Sequence, residues 1–428
     1  MRNVVIAQSG GPTSVINASL LGVLTGCRSF PSEFGSIYAA KHGIEGLLRE
    51  QLLDLNTQDE RELELLRTTP ASGAIGTCRY KIKPEQQEDL ERIVEVLGAH
   101  AIGAFFYIGG NDSMGTAQRI SELAEKRGLD LICVGVPKTI DNDLGDQERA
   151  LIDHTPGYGS VARYWASSVL TLNEENRGSA PADPVLVVQA MGRRIGFIPA
   201  SARLADPHRR LPLQIYLPEA GQSLEQLAGN VDRELRRSGR VIVIVSEGFD
   251  VGELGARRDA FGHVEFGTSQ QSVAQIVVTY LNRSGLAVRG SARGQVPGTD
   301  QRHAIHLAST VDISEAFEVG RHAVSVALEY GTGFMATIQR TSQTPYTACY
   351  GRASLVEMAN SERHFPNEWI SEDGIDVTDE FIDYAMPLIG DSHPVLPMED
   401  RLPRFARLTD NCAPRRCADY TPEAHRKG

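Results

Sequence analysis

Three short polar turns gather side chains able to work on a phosphate: Gly10-Gly11-Pro12, Gly109-Gly110-Asn111-Asp112-Ser113 and Pro137-Lys138-Thr139-Ile140-Asp141-Asn142-Asp143. Paired glycines let backbone N–H groups approach a phosphate without side-chain obstruction, and a following helix adds its positive N-terminal end. Alone, the first turn reads more readily as an ordinary tight connection between strand and helix. Ser113 likewise suits a helix N-cap, and Asp112 a first-turn acid matched to the helix dipole. The third turn tips the balance, because it sets one ammonium and two acids within a few residues of one another. Phosphoryl transfer to an alcohol needs a base at the hydroxyl, cations around the transferring group, and donors that hold both reactants in line. Asp141 can accept the hydroxyl proton, and Arg79 in GTCRYK, Lys138 and Arg193 can neutralise the moving phosphate. Glu247 can accept from sugar hydroxyls, while Arg293 and Arg302 offer bidentate contact to a sugar phosphate.

The elements that must position these groups are legible as short apolar runs. Val4–Gln8, Ala104–Ile108 and Leu131–Val136 each end in one of the three turns, as parallel strands do when ligands bind at their carboxyl ends. Ala117, Ile120, Leu123 and Ala124 share one helical face after the second turn, and Leu90, Ile93, Val94 and Leu97 share one before it. A second set of strands, Val185–Gln189 before MGR and Val241–Val245 before SEG, predicts a second lobe facing the first. A helix is expected over Gln270–Asn282, followed by the glycine- and proline-rich return VRGSARGQVPGTDQR. The pattern predicts an α/β chain of two Rossmann-like lobes with mainly parallel sheets and a cleft between them. The expected divisions are 1–152 plus about 303–352, then 153–302, then a C-terminal extension over 353–428. Pro394, Pro397, Pro403, Pro414 and Pro422 disfavour regular structure there, leaving a wrapping arm or a loose tail.

Bulk properties narrow the partners. A chain of 428 residues exceeds the size at which one core stops growing, and 41 glycines fit many tight turns. A net charge of −12 argues against nucleic acid or an anionic membrane as partner. The six cysteines are scattered without CxxC spacing, so reduced thiols in a cytoplasmic protein are expected, and the N-terminus enters a strand at once with no apolar leader. Gly157-Tyr158-Gly159-Ser160-Val161-Ala162 resembles a dinucleotide fingerprint but follows LIDHTP rather than a strand, so no NAD site is expected. His303 and His306 lack the carboxylate–histidine set that would make them metal ligands.

In order, GGP, GGNDS, PKTIDND, MGR, SEG and PGTDQR resemble the phosphofructokinase family over roughly residues 1–340. The resemblance implies the phosphofructokinase fold, magnesium, fructose 6-phosphate as acceptor, and Asp141 as the base at the sugar 1-hydroxyl. It further implies that Thr139 positions the moving phosphate, that Ile140 is among the substrate-binding residues, that Met191, Gly192 and Arg193 contact the sugar phosphate, and that Glu247 holds the sugar. Thr299, Asp300, Gln301 and Arg302 match the segment that grips the 6-phosphate. Arg293 matches an arginine that reaches across from a neighbouring subunit, which implies a homodimer. ATP-using members typically have glycine in place of Asp112 and Lys138. The carboxylate at Asp112 and the ammonium at Lys138 therefore imply diphosphate as donor, bound with Gly10, Gly11, Arg79 and Ser113. Asn111 stands where many members carry a magnesium-linked aspartate, which shifts the metal toward Asp143. No arginine occupies the position near Pro184 where the family has one. Two alternatives stay open: an ATP-dependent kinase of the wider fold group, and a silent paralogue that binds sugar phosphate. The intact Asp141 speaks against the second.

Overall fold

The computed structural model describes residues 1–251, 257–258, 264–265 and 271–426, and builds them around two sheets. The larger sheet has seven strands in the order Tyr346–Ser354, Phe334–Gln343, Ile132–Pro137, Ile102–Gly109, Arg2–Gln8, Phe34–Ala40 and Leu52–Asp54. The inner five pair in parallel, and each edge strand is antiparallel to its neighbour. Val4 and Ile6 enter one hydrophobic core while Val5 and Ala7 enter the core on the opposite face. A strand buried on both faces has to be apolar at every position, which is why these segments read as unbroken apolar runs. The three strands that end in the polar turns are neighbours, with Gln8 paired to Ile108 and Gly109 to Pro137. Their carboxyl ends therefore deliver the three turns side by side.

The second sheet is wholly parallel, in the order Ala292–Gln295, Val185–Ala190, Val241–Ser246 and Leu213–Tyr216. Val187 and Val243 pack on one face, Val188 and Ile244 on the other. Ala190 pairs with Ser246, and the Glu247 N–H donates to the Ala190 carbonyl at 2.8 Å, so the MGR and SEG segments also start side by side.

Helices Gln87–Ala99 and Asn111–Lys126 bury the faces expected of them. The helix expected over Gln270–Asn282 runs Val273–Ser284 instead, because the Ser272 side chain accepts the Gln275 N–H and caps it there. Gln270 itself lies outside the described residues. The glycine-rich Gly157–Ala162 segment opens helix Tyr158–Ser179 after a loop, without the strand a dinucleotide site requires.

The proline-rich C-terminus is a packed arm. Lys41 Nζ lies 2.9 Å from Asp410, Arg92 donates to the Ala418 carbonyl at 2.7 Å, and the Glu50 carboxylate accepts the Cys417 N–H at 3.1 Å. Asp89, fully buried, accepts from the Tyr420 hydroxyl at 2.8 Å, the Glu423 N–H at 3.0 Å and the Tyr80 hydroxyl. Prolines deny the arm a hydrogen-bonded ladder of its own, so bonds to the large lobe hold it instead. Asp89→Ala leaves three donors, one buried and two half-buried, without that acceptor. The expected loss is about 3 kcal/mol of unfolding free energy in urea denaturation, against about 1 kcal/mol for Tyr420→Phe.

Candidate active site

Turns from both sheets line one cavity of about 710 Å³. At its floor Gly10 has φ +75°, a conformation side chains resist, and an added Cβ would come 3.2 Å from the Lys138 ammonium. Lys138 is 4% exposed and donates to the Gly11 carbonyl at 3.0 Å, so it bolts the third turn to the first. Burial lowers its pKa to about 8, against the opposing pull of Asp141 and Asp143.

Asp141 is presented by a local turn in which its N–H donates to Thr139 Oγ1 at 3.1 Å, while Thr155 Oγ1 holds the Thr139 carbonyl at 2.9 Å. Its side chain is 13% exposed, and Arg193 Nε stands 3.7 Å from Oδ2. Burial, and then the Asp143 carboxylate, push the Asp141 pKa up to about 7, with Arg193 opposing. Across the cavity, Glu247 Oε1 accepts the Gly192 and Arg193 N–H groups at 3.2 and 2.9 Å, which fixes the backbone that carries Arg193. Burial raises the Glu247 pKa as well. Gln301 Oε1 receives the Met191 N–H at 2.9 Å and the Trp165 indole N–H at 3.1 Å, so Gln301 orders the Met191 segment.

Arg302 and Arg79 converge on the first turn: a Cβ on Gly11 would lie 3.1 Å from the Arg302 guanidinium and 3.9 Å from that of Arg79. Burial, then the Arg79 charge, lower the Arg302 pKa, and its buried Nε has no acceptor among the described residues. Two crowded guanidinium groups with an unmatched buried donor are a place for an anion. Arg302 thus stands at the first turn, where the donor was expected, as well as beside the PGTDQR segment. Ser113 is buried beneath the second turn and bonds with the Tyr107 hydroxyl, whose pKa burial raises.

Of the other expected residues, Asp112, Ile140 and Thr299 line the cavity, while Asp300 and Arg293 do not. Asp112 does not pair with Lys138; its partner is Lys81, at 2.7 Å, because Lys138 is committed to Gly11. Ile140 is 7% exposed and packs in the core of the smaller lobe. Thr299 lines the cavity, whereas Asp300 is 73% exposed and lies 3.8 Å from His303. Arg293 sits on the edge strand, 68% exposed and 2.8 Å from Asp183, away from this chain's own cavity. Sequence reasoning missed Lys81, although it lies two positions after Arg79 in the same extended segment, the spacing that returns a side chain to the same side. It also missed Ala359–Glu362, which border the cavity from the C-terminal extension and carry no local signal.

Oxygen ligands suited to magnesium are present in part. Asp143 lines the cavity, and Asn111 gives its amide N–H to the Ser361 carbonyl, which leaves the amide oxygen for a cation. Among the described residues no group of three or more His, Cys, Asp and Glu side chains is placed to hold a metal ion. A magnesium ion here fits as one held by few protein ligands and completed by phosphate oxygens and water.

The sequence matches the family profile described as phosphofructokinase over residues 3–327. The chain belongs to the phosphofructokinase family. Among its relatives, the pyrophosphate–fructose 6-phosphate 1-phosphotransferase of Methylococcus capsulatus is 39% identical over 97% of this chain and 98% of its own. That of Halomonas elongata is 36% identical over 98% and 99%. The crystal structure of the pyrophosphate-dependent phosphofructokinase from Nitrosospira multiformis matches with a TM-score of 0.87 and 36% identity, covering 98% of this chain and all of that one. The two-lobed α/β architecture is accordingly the phosphofructokinase fold.

In this phosphofructokinase the Asp141 carboxyl is expected to titrate near pH 7 when followed by carbon NMR of labelled protein. Asp143→Asn removes the like charge beside it and should lower that midpoint by about one unit.

Proposed function

We propose that this enzyme transfers a phosphoryl group from diphosphate to the 1-hydroxyl of D-fructose 6-phosphate, giving fructose 1,6-bisphosphate and phosphate, and that it runs in both directions. The observation that carries the reading is the donor end of the cavity. There the Asp112 carboxylate, held by Lys81, lines the same cavity as the buried Lys138 ammonium; an acid at this place would repel the inner phosphate of a nucleoside triphosphate, while the ammonium serves a bare diphosphate. The close relatives named for this reaction support it.

In the forward step Asp141 takes the proton from the 1-hydroxyl, the sugar oxygen bonds to the nearer phosphorus, the bridging P–O bond breaks, and phosphate leaves. Lys138, Arg79 and Arg193 balance the charge that spreads over the moving group, with Thr139 and the Gly11 N–H holding its oxygens; the Gly10 and Ser113 N–H groups already donate to the Cys78 and Gly110 carbonyls and shape the two turns instead. Met191, Gly192 and Glu247 hold the sugar. Thr299 and Arg302 serve its 6-phosphate, and Gln301, whose amide is taken by Met191, Trp165 and Gly298, orders the segments around it, with Asp300 and Ile140 shaping theirs. Magnesium would be held by Asp143 and the Asn111 amide oxygen, and when bound it draws negative charge off the diphosphate.

Arg293, exposed on an edge strand, fits a role in a second subunit's site and so a homodimer. We divide the chain into a donor lobe of 1–152 with 303–352, a sugar lobe of 153–302, and an extension from 353. All six cysteines are free, which fits the reducing setting of a cytoplasm. Among the described residues no helix is long and apolar enough to cross a membrane.

A coupled assay with diphosphate or ATP tests the reading: turnover on diphosphate is expected, and turnover on ATP alone would overturn it. Asp141→Asn should lower kcat by about 10³-fold with KM changed no more than about threefold. Asp112→Gly should admit ATP, and adding Lys138→Gly should weaken diphosphate use by about tenfold. Against pH, kcat/KM should climb as Asp141 ionises through about 7 and decline as Lys138 loses its proton through about 8. Lys138→Met should abolish the alkaline decline.

A further inference from the structure

Arg363, from the C-terminal extension, is fully buried, and all its side-chain nitrogens donate to main-chain carbonyls. Nε reaches the Asp146 carbonyl at 2.9 Å, Nη1 reaches that of Asp153 at 2.8 Å, and Nη2 reaches that of Ile152. These carbonyls lie on both limbs of the loop that leaves Asp141 and Asp143, so one guanidinium ties the loop's two limbs together. The Asp153 carboxylate does not share in this, being engaged by His154 at 2.8 Å and Arg340 at 3.1 Å.

The same short segment grips the cavity side of the loop. The Arg363 N–H donates to the Asp143 carbonyl at 2.8 Å, Ser361 Oγ accepts the Gly145 N–H at 3.1 Å, and the Ser361 carbonyl receives the Asn111 amide. Gly145, at φ +107°, has no room for a side chain, since a Cβ would lie 2.9 Å from Arg363 Nη2 and 2.6 Å from Ile152 Cγ2. Two residues distant in sequence, Ser361 and Arg363, thus touch Asn111, Asp143 and the chain that carries Asp141, without reaching the reacting atoms.

We propose that Arg363 is a positioning residue for phosphoryl transfer, whose buried guanidinium holds the Asp141–Asp153 loop in the shape that presents Asp141 and Asp143 to the substrates. The inference rests on Asp141 being the base. A planar fork can serve three divergent carbonyls; an ammonium on the same stem cannot match that geometry, and an apolar side chain leaves all three without a donor.

The test uses the full-length enzyme carrying Arg363→Lys or Arg363→Met, with both substrates saturating and with each varied in turn. Both variants should lose about thirtyfold in kcat while KM for fructose 6-phosphate and diphosphate stays within about threefold, because misplacement harms the reacting geometry more than binding. A merely structural role would lower the unfolding midpoint and leave kcat per active site in place, which would overturn the proposal. Should neither variant fold, Ser361→Ala decides: a loss in kcat of about fivefold at constant KM supports the proposal, and an unchanged kcat overturns it. Asp141→Asn assayed alongside separates the two claims. Activity in that variant removes the base reading, whereas its inactivity beside a fully active Arg363→Met removes only the positioning role.

Discussion

The contact between the Lys138 ammonium and the Gly11 carbonyl is the constraint on which the cleft depends. It joins the turns after two strands that are not neighbours, since the strand ending at Gly109 lies between them, and it does so with a buried charge. A buried ammonium is costly unless opposite charges and acceptors surround it, and Asp141 and Asp143 supply that charge. Burial, and then repulsion between the two acids, keep the Asp141 proton affinity near neutrality. One cluster of three charges therefore shapes the floor and tunes its base.

The second lobe contributes in a different manner. Glu247 does not need to be charged toward a substrate to matter, because its carboxylate already organises two backbone N–H groups of the MGR segment. Gln301 performs the same service for Met191. Recognition of a sugar phosphate on this side is built from backbone held by buried acceptors, and the guanidinium groups are added at its edge.

Much of this was readable in the sequence where cause and effect are local. Apolar runs ending in Gly10, Gly109 and Lys138 announce parallel strands, and the sheet order makes neighbours of their ends without any further signal. Asp141 was recoverable because its turn carries its own cation. Partner choice across the cavity was not: nothing in the order of residues says that Lys138 is spent on a carbonyl while Lys81 takes Asp112. Helix Val273–Ser284 began later than the apolar pattern suggested because a single serine cap outweighed it. The segment around Ser361 was invisible for a plainer reason, since main-chain carbonyls and a hydroxyl are its means of contact and those are common to nearly every stretch of chain.

Asp141 and the Arg193 that faces it at 3.7 Å belong to different sheets. The base of the first lobe therefore finds its near guanidinium on the second: burial and Asp143 hold the Asp141 proton on, and Arg193 pulls the other way from across the cleft. Neither half carries that balance alone.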